Sequence, residues 1–526
     1  MAPSVSSYGG EFEGERGFFL TAPQFEQLRL ESMTNALQTI TVTDPRTGEV
    51  YGEVPAHTAE ETSQAFAIAR KAQEAWVTTP ISERTKIFLR FHDLVLEHQD
   101  EIMDVIQAET GKNRASALDE VLDVAITARH YARRAAKILK PQRKKGALPF
   151  LTRTVVDHSP RGVIGIIAPW NYPLTLSISD AIPALIAGNA VVLKPDSKTP
   201  FSALLGVKLL IEAGLPADVF QVVTGTGSVV GQQIAQLADY LMFTGSTATG
   251  KQLAKIAGER LIGYSAELGG KNPLIVAPDA DLDLAVTNAI NACFSNSGQL
   301  CISIERIYVQ EEIADEFIER FVNATEALKV GGGGWTEDMG SMISPEHVEH
   351  VIEMLDDALE RGARLLTGGT RLPDLGEAYL SPTILTDVPA DARLYREEVF
   401  GPVAYIEVVS TIEEAITKAN DTEYGLNAAV FAAPPTAWNI ALQLHAGTVN
   451  INEGFAAAFG SIDAPMGGWK ASGVGRRHAD EGLLKYTEAR TIAEQRLFPI
   501  SGPNDMSRAT YAKTLTQLLR IGKRVL

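Results

Sequence analysis

From residue 163 onward the chain alternates short apolar segments with helical segments of about ten to fifteen residues, and this alternation limits the possible folds more than any other feature. The predicted strands cover residues 163–167, 190–193, 219–223, 240–243 and 261–265. Strands that alternate with helices join through right-handed crossovers, which gives a parallel sheet covered by helices. The sequence therefore predicts an α/β nucleotide-binding architecture. Ligands of such sheets bind at the carboxyl ends of the strands, so functional residues are expected directly after each strand.

Helices are predicted before this region, and a second αβ series follows it. Thr58 and Glu61 have the spacing of a capping box, which begins the first helix. A second helix is expected from about residue 82 to Gly111, where a glycine can adopt the left-handed conformation that ends a helix. A third helix is expected over residues 115–139. After Pro273 the sequence predicts helix 281–294, strand 305–309 and helix 313–328.

Composition and charge exclude several classes of function. The 526 residues are 45% hydrophobic and 21% charged, as in soluble globular proteins. Lys and Arg total 47 against 65 Asp and Glu, so the formal net charge is −18, which repels nucleic acid and anionic membranes. Residues 1–20 lack the basic start and apolar run of a secretory signal and are predicted to form a disordered tail. Apolar runs stop well before the roughly 18 residues that a membrane helix needs, so a soluble, cytoplasmic protein is expected.

The chain has two cysteines, Cys293 and Cys301, within one segment. A disulfide closing so short a loop would add little stability, which favours a reducing compartment. Their spacing is not that of a zinc site, and His347 with His350 lacks a third ligand nearby, so no metal site is predicted. Cys301 follows a polar segment that contains a glycine, whereas Cys293 lies inside a predicted helix between apolar residues. If one thiol reacts, the sequence favours Cys301; the alternative is that both are inert.

Two polar side chains follow predicted strands. Glu267 ends an apolar strand and precedes two glycines, which makes it a candidate general base. Asn171, in Pro169-Trp-Asn-Tyr-Pro173, can offer an amide N–H to an oxyanion. The alternative for Asn171 is a turn-forming side chain between two prolines.

Two glycine-containing segments are candidates for phosphate binding. Gly225-Thr-Gly227-Ser-Val-Val-Gly231 follows a strand but is one residue too long for the G-x-G-x-x-G pattern, so a tight turn is the alternative. At the next strand end, Gly245 and Ser246 begin a helix whose free N–H groups can face an anion. A purely structural turn is again the alternative.

Seven segments together resemble the aldehyde dehydrogenase superfamily, in its order and at its spacings. They are Pro169-Trp-Asn-Tyr-Pro173, Lys194-Pro, Phe243-Thr-Gly245-Ser246, Glu267-Leu-Gly-Gly-Lys, Gly298-Gln-Leu-Cys301, Glu398-Val-Phe-Gly-Pro402 and Gly447-Thr-Val-Asn-Ile-Asn452. The resemblance covers about residues 43–492. Within the family, segment 294–306 and the C-terminal tail are similar to the NADP-linked succinate-semialdehyde dehydrogenases of the second actinobacterial type.

The resemblance implies a Rossmann-like NADP-binding domain (residues 21–139 and 160–271), an α/β catalytic domain (272–465) and a β oligomerisation arm. The arm would pair residues 140–159 with residues 483–497, and this kind of pairing gives homodimers or homotetramers. Residues 498–526 then form a C-terminal tail. Its leucines and basic residues predict an amphipathic helix, docked on a neighbouring domain or subunit rather than on a membrane.

The resemblance also implies the catalytic roles. Cys301, as thiolate, would attack the aldehyde, and the Asn171 side chain with the Cys301 backbone N–H would stabilise the oxyanion. Glu267 would activate the water that hydrolyses the thioester, and its presence argues against CoA-acylating relatives. The residues implied to contact the cofactor are Trp170, Asn171, Lys194, Ser197, Lys198, Gly245, Ser246, Leu268, Glu398 and Phe400.

Cofactor and substrate are also expectations from the resemblance. NADP is expected rather than NAD, because Ser197 stands where NAD-preferring relatives tend to have a glutamate. Succinate semialdehyde is the expected substrate, although Ser179 and Ser295 stand where better-known enzymes have carboxylate-binding arginines. Another, less charged aldehyde is therefore an alternative, and a cofactor-free thioesterase or esterase is an alternative of another class. Ser303 stands where some relatives have a second cysteine, so their disulfide switch is not expected here.

Overall fold

The computed structural model describes residues 38–146, 152–497 and 499–523. The tail predicted at residues 1–20 and a part of segment 140–159 lie outside the described residues. The strands, in chain order, are β1 (Thr39–Thr43), β2 (Val50–Pro55), β3 (Gln142–Lys144), β4 (Thr152–Pro160), β5 (Val163–Ile167), β6 (Ala190–Lys194), β7 (Phe220–Val222), β8 (Tyr240–Thr244), β9 (Gly263–Glu267), β10 (Asn272–Val276), β11 (Ile304–Gln310), β12 (Arg364–Thr367), β13 (Thr383–Thr386), β14 (Val403–Val409), β15 (Asn427–Phe431), β16 (Thr448–Ile451), β17 (Gly473–Val474) and β18 (Thr487–Gln495).

The α-helices, in chain order, are α1 (Ala59–Trp76), α2 (Ile81–Glu97), α3 (Gln99–Thr110), α4 (Arg114–Ile138), α5 (Ala181–Ile186), α6 (Pro200–Glu212), α7 (Gln232–Leu237), α8 (Thr247–Arg260), α9 (Leu282–Phe294), α10 (Glu311–Glu326), α11 (Pro345–Glu360), α12 (Arg393–Arg396), α13 (Ile412–Asn420), α14 (Pro434–Ala441), α15 (Ala456–Phe459), α16 (Ala479–Leu484) and α17 (Arg508–Gly522). The π-helical turns Thr175–Ser179 and Gly227–Gly231 precede α5 and α7. Short 3₁₀ turns complete the described elements.

Two mostly parallel sheets organise the described residues. The first has six strands in the order β17-β9-β8-β5-β6-β7, and the second has seven in the order β12-β13-β14-β11-β10-β15-β16. Each has one antiparallel edge strand, β17 in the first and β12 in the second. Strands such as β5, β6 and β10 are buried along their whole length, which explains their continuous apolar sequence. The α/β fold class predicted from the sequence is confirmed.

Most predicted elements agree with the structure within two residues, and Thr58 forms the predicted capping box with Glu61. One prediction is wrong: the single helix from residue 82 to Gly111 is two helices, α2 and α3. The backbone of His98 leaves the helical conformation (φ −97°, ψ 16°), and both segments pack against α4 on either side of that bend. Gly111 ends α3 in the left-handed conformation, φ 72°, as expected.

A third, antiparallel sheet combines two distant segments. β18 pairs with β4 from Thr487 opposite Pro160 to Gln495 opposite Thr152, and β3 adds to the other side of β4. This is the pairing predicted for residues 140–159 and 483–497. Most of β18 is exposed to solvent.

The C-terminal tail forms the predicted helix, α17. None of its residues is buried, and Leu518 and Leu519 are about 60% exposed. Docking of this helix on another domain of the chain is therefore not observed among the described residues. Within all the residues that the structure describes, no helix has the length and apolar character required to cross a membrane.

Candidate active site

A cavity of about 570 Å³ brings together the three residues predicted to be catalytic. Asn171 follows β5, Glu267 is the last residue of β9, and Cys301 precedes β11. The cavity thus lies between the carboxyl ends of the six-stranded sheet and the amino ends of the seven-stranded sheet. The chain passes from β9 of the first sheet into β10 of the second through a short connection. This connection brings the carboxyl ends of one sheet next to the amino ends of the other, so residues far apart in sequence meet here.

The loop that carries Cys301 has a constrained backbone. After α9 ends at Phe294, Asn296 and Ser297 adopt left-handed conformations with φ of 52° and 56°. Gly298 is also left-handed, and a Cβ there would lie 2.0 Å from the carbonyl oxygen of Gly401, so only glycine fits. The Asn272 side-chain amide donates to the Cys301 carbonyl (2.8 Å). These contacts fix the loop without a regular element.

The two thiols differ in access, as the sequence predicts. Cys301 is partly exposed and lines the cavity, whereas Cys293 is fully buried in α9. Burial, together with the carboxylates Glu398 and Glu267, raises the pKa of the Cys301 thiol to about 12. The predicted thiolate is therefore not the resting form in this structure. A base must remove the thiol proton when the sulfur attacks.

Asn171 is held from both its side chain and its backbone. Its Nδ2 donates to the Gln299 carbonyl (3.0 Å), which leaves the second amide N–H for another acceptor. Its carbonyl accepts from Lys112 Nζ (2.7 Å) and from Asn296 Nδ2 (3.1 Å). Lys112 pairs with Glu120 at 2.7 Å, and both side chains are fully buried. The sequence analysis missed this pair, since two charges eight residues apart across a helix break carry no recognisable spacing.

Glu267 is a buried carboxylate with few partners. Its Oε2 accepts no hydrogen bond from the described residues. A Cβ at Gly467 would lie 3.1 Å from Glu267 Oε1, so that glycine leaves space for the carboxylate. Burial raises the pKa of Glu267 to about 7, against the opposing effect of the cations Arg477 and Lys485. A carboxylate with this pKa can accept and release protons near neutral pH.

A buried ion pair that the sequence analysis also missed lies next to Glu267. Arg477 Nη2 is 3.1 Å from Asp180 Oδ2, and both side chains are about 95% buried. Next to Asp180, the Ser179 hydroxyl donates to Asp123 Oδ2 (2.6 Å). The position at which better-known relatives have an arginine therefore carries a hydroxyl bonded to a carboxylate. No sequence signal distinguishes Arg477 from the neighbouring Arg476.

The loop after β16 contributes aromatic side chains to the cavity. Phe455 and Phe459, at either end of α15, line it, and so does Ser295. Ser461 is not part of the lining and donates to the Ala457 carbonyl (2.7 Å). This loop thus gives the cavity two aromatic lining residues.

Lys194 and Glu398 have hydrogen-bonding capacity that the described residues do not use. Lys194 ends β6, is 95% buried, and its Nζ donates to the Pro195 carbonyl (3.0 Å). Glu398 Oε1 accepts from the Gly270 N–H (2.8 Å), and burial raises the pKa of Glu398 to about 8. A buried ammonium with spare donors and a half-buried carboxyl group with a spare oxygen fit a ligand rich in hydroxyl groups. These residues therefore fit the riboses of a dinucleotide.

The other residues predicted to contact a cofactor surround these two. Ser246 caps α8, where its side chain accepts from the Thr249 N–H, and Gly245 precedes it. Ser197 Oγ donates to the Gly225 carbonyl (3.1 Å), so the first glycine-containing segment contacts the segment that follows β6. Lys198 Nζ is 3.4 Å from Ser344 Oγ at the start of α11.

Aromatic and backbone contacts connect this region to the seven-stranded sheet. The Trp170 ring meets the Phe400 ring edge-on at 5.4 Å, and the Phe400 N–H donates to Glu305 Oε1 (3.1 Å). The Leu268 N–H donates to the Ser472 carbonyl (2.9 Å), which fixes the backbone after Glu267.

Comparison with known proteins identifies the same architecture. Residues 32–492 match the sequence model of the Aldehyde dehydrogenase family. A protein of Mycolicibacterium smegmatis, named as a succinate-semialdehyde dehydrogenase [NADP(+)], is 51% identical over 95% of this chain and 98% of its own. The mitochondrial succinate-semialdehyde dehydrogenase of Oryza sativa is 37% identical over 86% of each chain. Among solved structures, an NADP-dependent enzyme of E. coli has a TM-score of 0.84 at 38% identity, covering 87% of this chain and 95% of its own.

Proposed function

The chain belongs to the aldehyde dehydrogenase family, and from this premise we propose that it oxidises an aldehyde to a carboxylate with NADP⁺. The observation that supports this most is the meeting of Cys301, Glu267 and Asn171 in one cavity. Lys194 and Glu398 fit the cofactor, as their unused hydrogen-bonding capacity indicates. The family match favours this function over a cofactor-free thioesterase, which would need neither residue.

The first chemical step is attack of Cys301 Sγ on the aldehyde carbon. Because the thiol pKa is about 12, the proton leaves sulfur only as the new S–C bond forms, and a water molecule in the cavity accepts it, so this step does not need Glu267. The carbonyl oxygen gains negative charge. The free N–H of the Asn171 amide and the Cys301 backbone N–H are the donors that stabilise it.

A bound NADP⁺ supplies the hydride acceptor for the C–H bond of the aldehyde carbon. The product on Cys301 is a thioester, which water hydrolyses slowly without help. Glu267 takes a proton from that water, the new C–O bond replaces the C–S bond, and the thiol is regenerated. The lack of hydrogen bonds on Glu267 Oε2 leaves this oxygen open to a water molecule.

Succinate semialdehyde is the proposed substrate, supported by the names of two relatives. A less charged aldehyde is a second candidate, because Ser179 is bonded to the Asp123 carboxylate where an anion-binding arginine would otherwise stand. The two candidates differ by one carboxylate, so succinate semialdehyde and butanal form a matched pair of substrates. NADPH formation with purified protein should give the higher kcat/KM for succinate semialdehyde. A higher value for butanal would favour the second candidate, and hydrolysis of a thioester without any NADPH formation would contradict the dehydrogenase.

The third sheet supports a proposal about assembly. β18 is an edge strand of the order β18-β4-β3, so its outer backbone groups have no strand partner among the described residues. We propose that a second copy of the chain pairs here and gives a homodimer or homotetramer of cytoplasmic enzyme, in which a reducing environment protects the thiol. Light scattering should show the mass of two or four chains; a mass of one chain would contradict the assembly.

A further inference from the structure

Two segments of the chain meet at the ion pair between Asp180 and Arg477. Asp180 follows the π-helical turn Thr175–Ser179, and Arg477 follows β17. The Arg477 backbone exchanges two hydrogen bonds with Met466, of 2.8 and 2.9 Å, which fixes the start of its side chain. The two charged groups are 3.1 Å apart and about 95% buried. A buried arginine needs such a partner, since an uncompensated buried charge is strongly destabilising.

Arg477 shares the cavity with Glu267 and Cys301. β17, which leads to Arg477, is also hydrogen-bonded to β9, with Gly473 opposite Glu267. The backbone that carries the arginine is therefore tied to the residue that carries the carboxylate. Relative movement of the two side chains is limited to their own rotations.

Charged groups from several elements surround Glu267. The cations are Arg477 and Arg476 after β17 and Lys485 after α16, and the anion is Asp180. Arg476 directs its guanidinium to the carbonyls of Gly475 and Gly468, and burial lowers the pKa of Lys485 to about 8. Arg477 is thus the fully buried cation near Glu267 that keeps its charge at every pH of interest.

We propose that Arg477, oriented by Asp180, is a positioning residue that keeps Glu267 ionised for hydrolysis of the thioester. This inference rests on the proposed function. Glu267 accepts no hydrogen bond at Oε2, so a nearby positive charge is the remaining way to stabilise its ionised form in a buried place. Asp180 holds the guanidinium without being part of the reaction.

The test is the pH dependence of thioester hydrolysis in Arg477→Gln. In the wild type, Glu267 should titrate with a midpoint of about pH 7. Loss of a nearby opposite charge raises a carboxylate pKa by about one unit or more. At pH 7 hydrolysis should then fall about fivefold or more, and it should recover towards the wild-type rate near pH 9. The first burst of NADPH should be retained, because it precedes hydrolysis.

Arg84→Gln is the matched control. Arg84 is also a buried arginine, but it belongs to α2 and does not line the cavity. Its loss should cost stability without moving the midpoint. Should Arg477→Gln not fold, the double variant Asp180→Asn, Arg477→Gln is the second variant, because it leaves neither buried charge unpaired. Its midpoint should again move to higher pH, since Arg477 affects Glu267 more than Asp180 does. An unchanged midpoint in the variant that folds would overturn the inference.

The assay also distinguishes a different role for Arg477, as the anchor of a substrate carboxylate. A positioning role predicts the same slower hydrolysis with succinate semialdehyde and with butanal. A rise of KM confined to succinate semialdehyde, with an unchanged pH midpoint, would overturn the inference in favour of an anchor. Failure of the proposed function would be recognised separately, since the wild type would then form no NADPH from either aldehyde.

Discussion

The two large sheets reach the cavity with opposite ends of their strands. The six-stranded sheet presents carboxyl ends, where Lys194 and Glu267 are the last residues of β6 and β9. The seven-stranded sheet presents amino ends, so Cys301 and Glu398 lie in loops that precede β11 and β14. We call the part of the cavity formed by the six-stranded sheet the first side and the part formed by the seven-stranded sheet the second side. The first side follows the general rule that ligands bind at the carboxyl ends of parallel strands, and the second side does not.

This difference affects how each side holds its residues. On the first side, short segments after buried strands place the side chains, and buried charges such as Lys112 and Arg477 support them. On the second side, a left-handed loop backbone does so, with Gly298 against the Gly401 carbonyl. We therefore expect the nucleophile to depend on loop geometry and the base to depend on electrostatics. The following predictions test this contrast, beginning with the largest effect.

Replacing the thiol on the side of the seven-stranded sheet should have the largest effect. Cys301→Ala should lower kcat/KM for aldehyde oxidation by more than about a thousandfold, as loss of a nucleophile does in comparable enzymes. Cys293→Ala, eight residues earlier in the buried helix, should keep most of the activity and lose only packing. NADPH formation under identical conditions measures both variants. Similar losses in the two variants, or in neither, would contradict the assignment of the nucleophile.

Replacing the base Glu267, on the first side, should slow hydrolysis of the thioester rather than its formation. Glu267→Gln should retain a burst of NADPH and then slow by about a hundred- to a thousandfold, because the amide cannot accept the proton of water. Mass spectrometry after a single turnover should show an acyl group on Cys301. Arg84→Gln serves again as a control for the loss of a buried charge. Rapid turnover of Glu267→Gln without an acyl adduct would contradict the role.

The sequence predicted the first side of the cavity better than the second. The search for polar residues directly after apolar strands made Glu267 a candidate, and Asn171 a candidate beside the alternative of a turn, without any knowledge of a family; both line the cavity. The same rule cannot identify Cys301, which precedes its strand; its polar, glycine-containing surroundings were the available signal. The prediction that Glu398 contacts the cofactor depended on the family resemblance alone, since a carboxylate in a loop is usually just a solvent-exposed residue.

The supporting charges could not be predicted from the sequence for a physical reason. Lys112 with Glu120 and Asp180 with Arg477 are defined by burial and by contacts between separate segments. A sequence shows the type of each residue but not whether water surrounds it. The bend at His98 is a similar case, because the apolar pattern continues through it and the packing on α4 determines where the helix breaks.

A substitution at Ser197, in the cofactor-binding part of the first side, should change the preference between the two cofactors by about ten- to a hundredfold. Ser197→Glu should reverse a preference for NADP⁺ over NAD⁺, because a carboxylate repels a 2′-phosphate and binds free ribose hydroxyls. The free energy of one charge-assisted hydrogen bond, about 1.5–3 kcal/mol, corresponds to a change of about ten- to a hundredfold in the preference between the two cofactors. The ratio of kcat/KM for the two cofactors is the measurement, with Ser82→Glu in the exposed part of α2 as the control. Equal values for both cofactors in the wild type would contradict the preference.

The smallest expected effect is the pH dependence of thioester hydrolysis in the wild type. Burial raises the pKa of Glu267 to about 7, so its ionised fraction increases roughly tenfold between pH 6 and pH 8. Hydrolysis of the thioester needs the ionised form and should accelerate by about that factor as the pH rises. The Cys301 thiol, with a pKa of about 12, stays protonated over this whole range and loses its proton only as it attacks, so the size of the NADPH burst should stay nearly constant. A burst that grows in parallel with hydrolysis would place the titrating group on the side of the nucleophile instead, and the contrast between the two sides would fail.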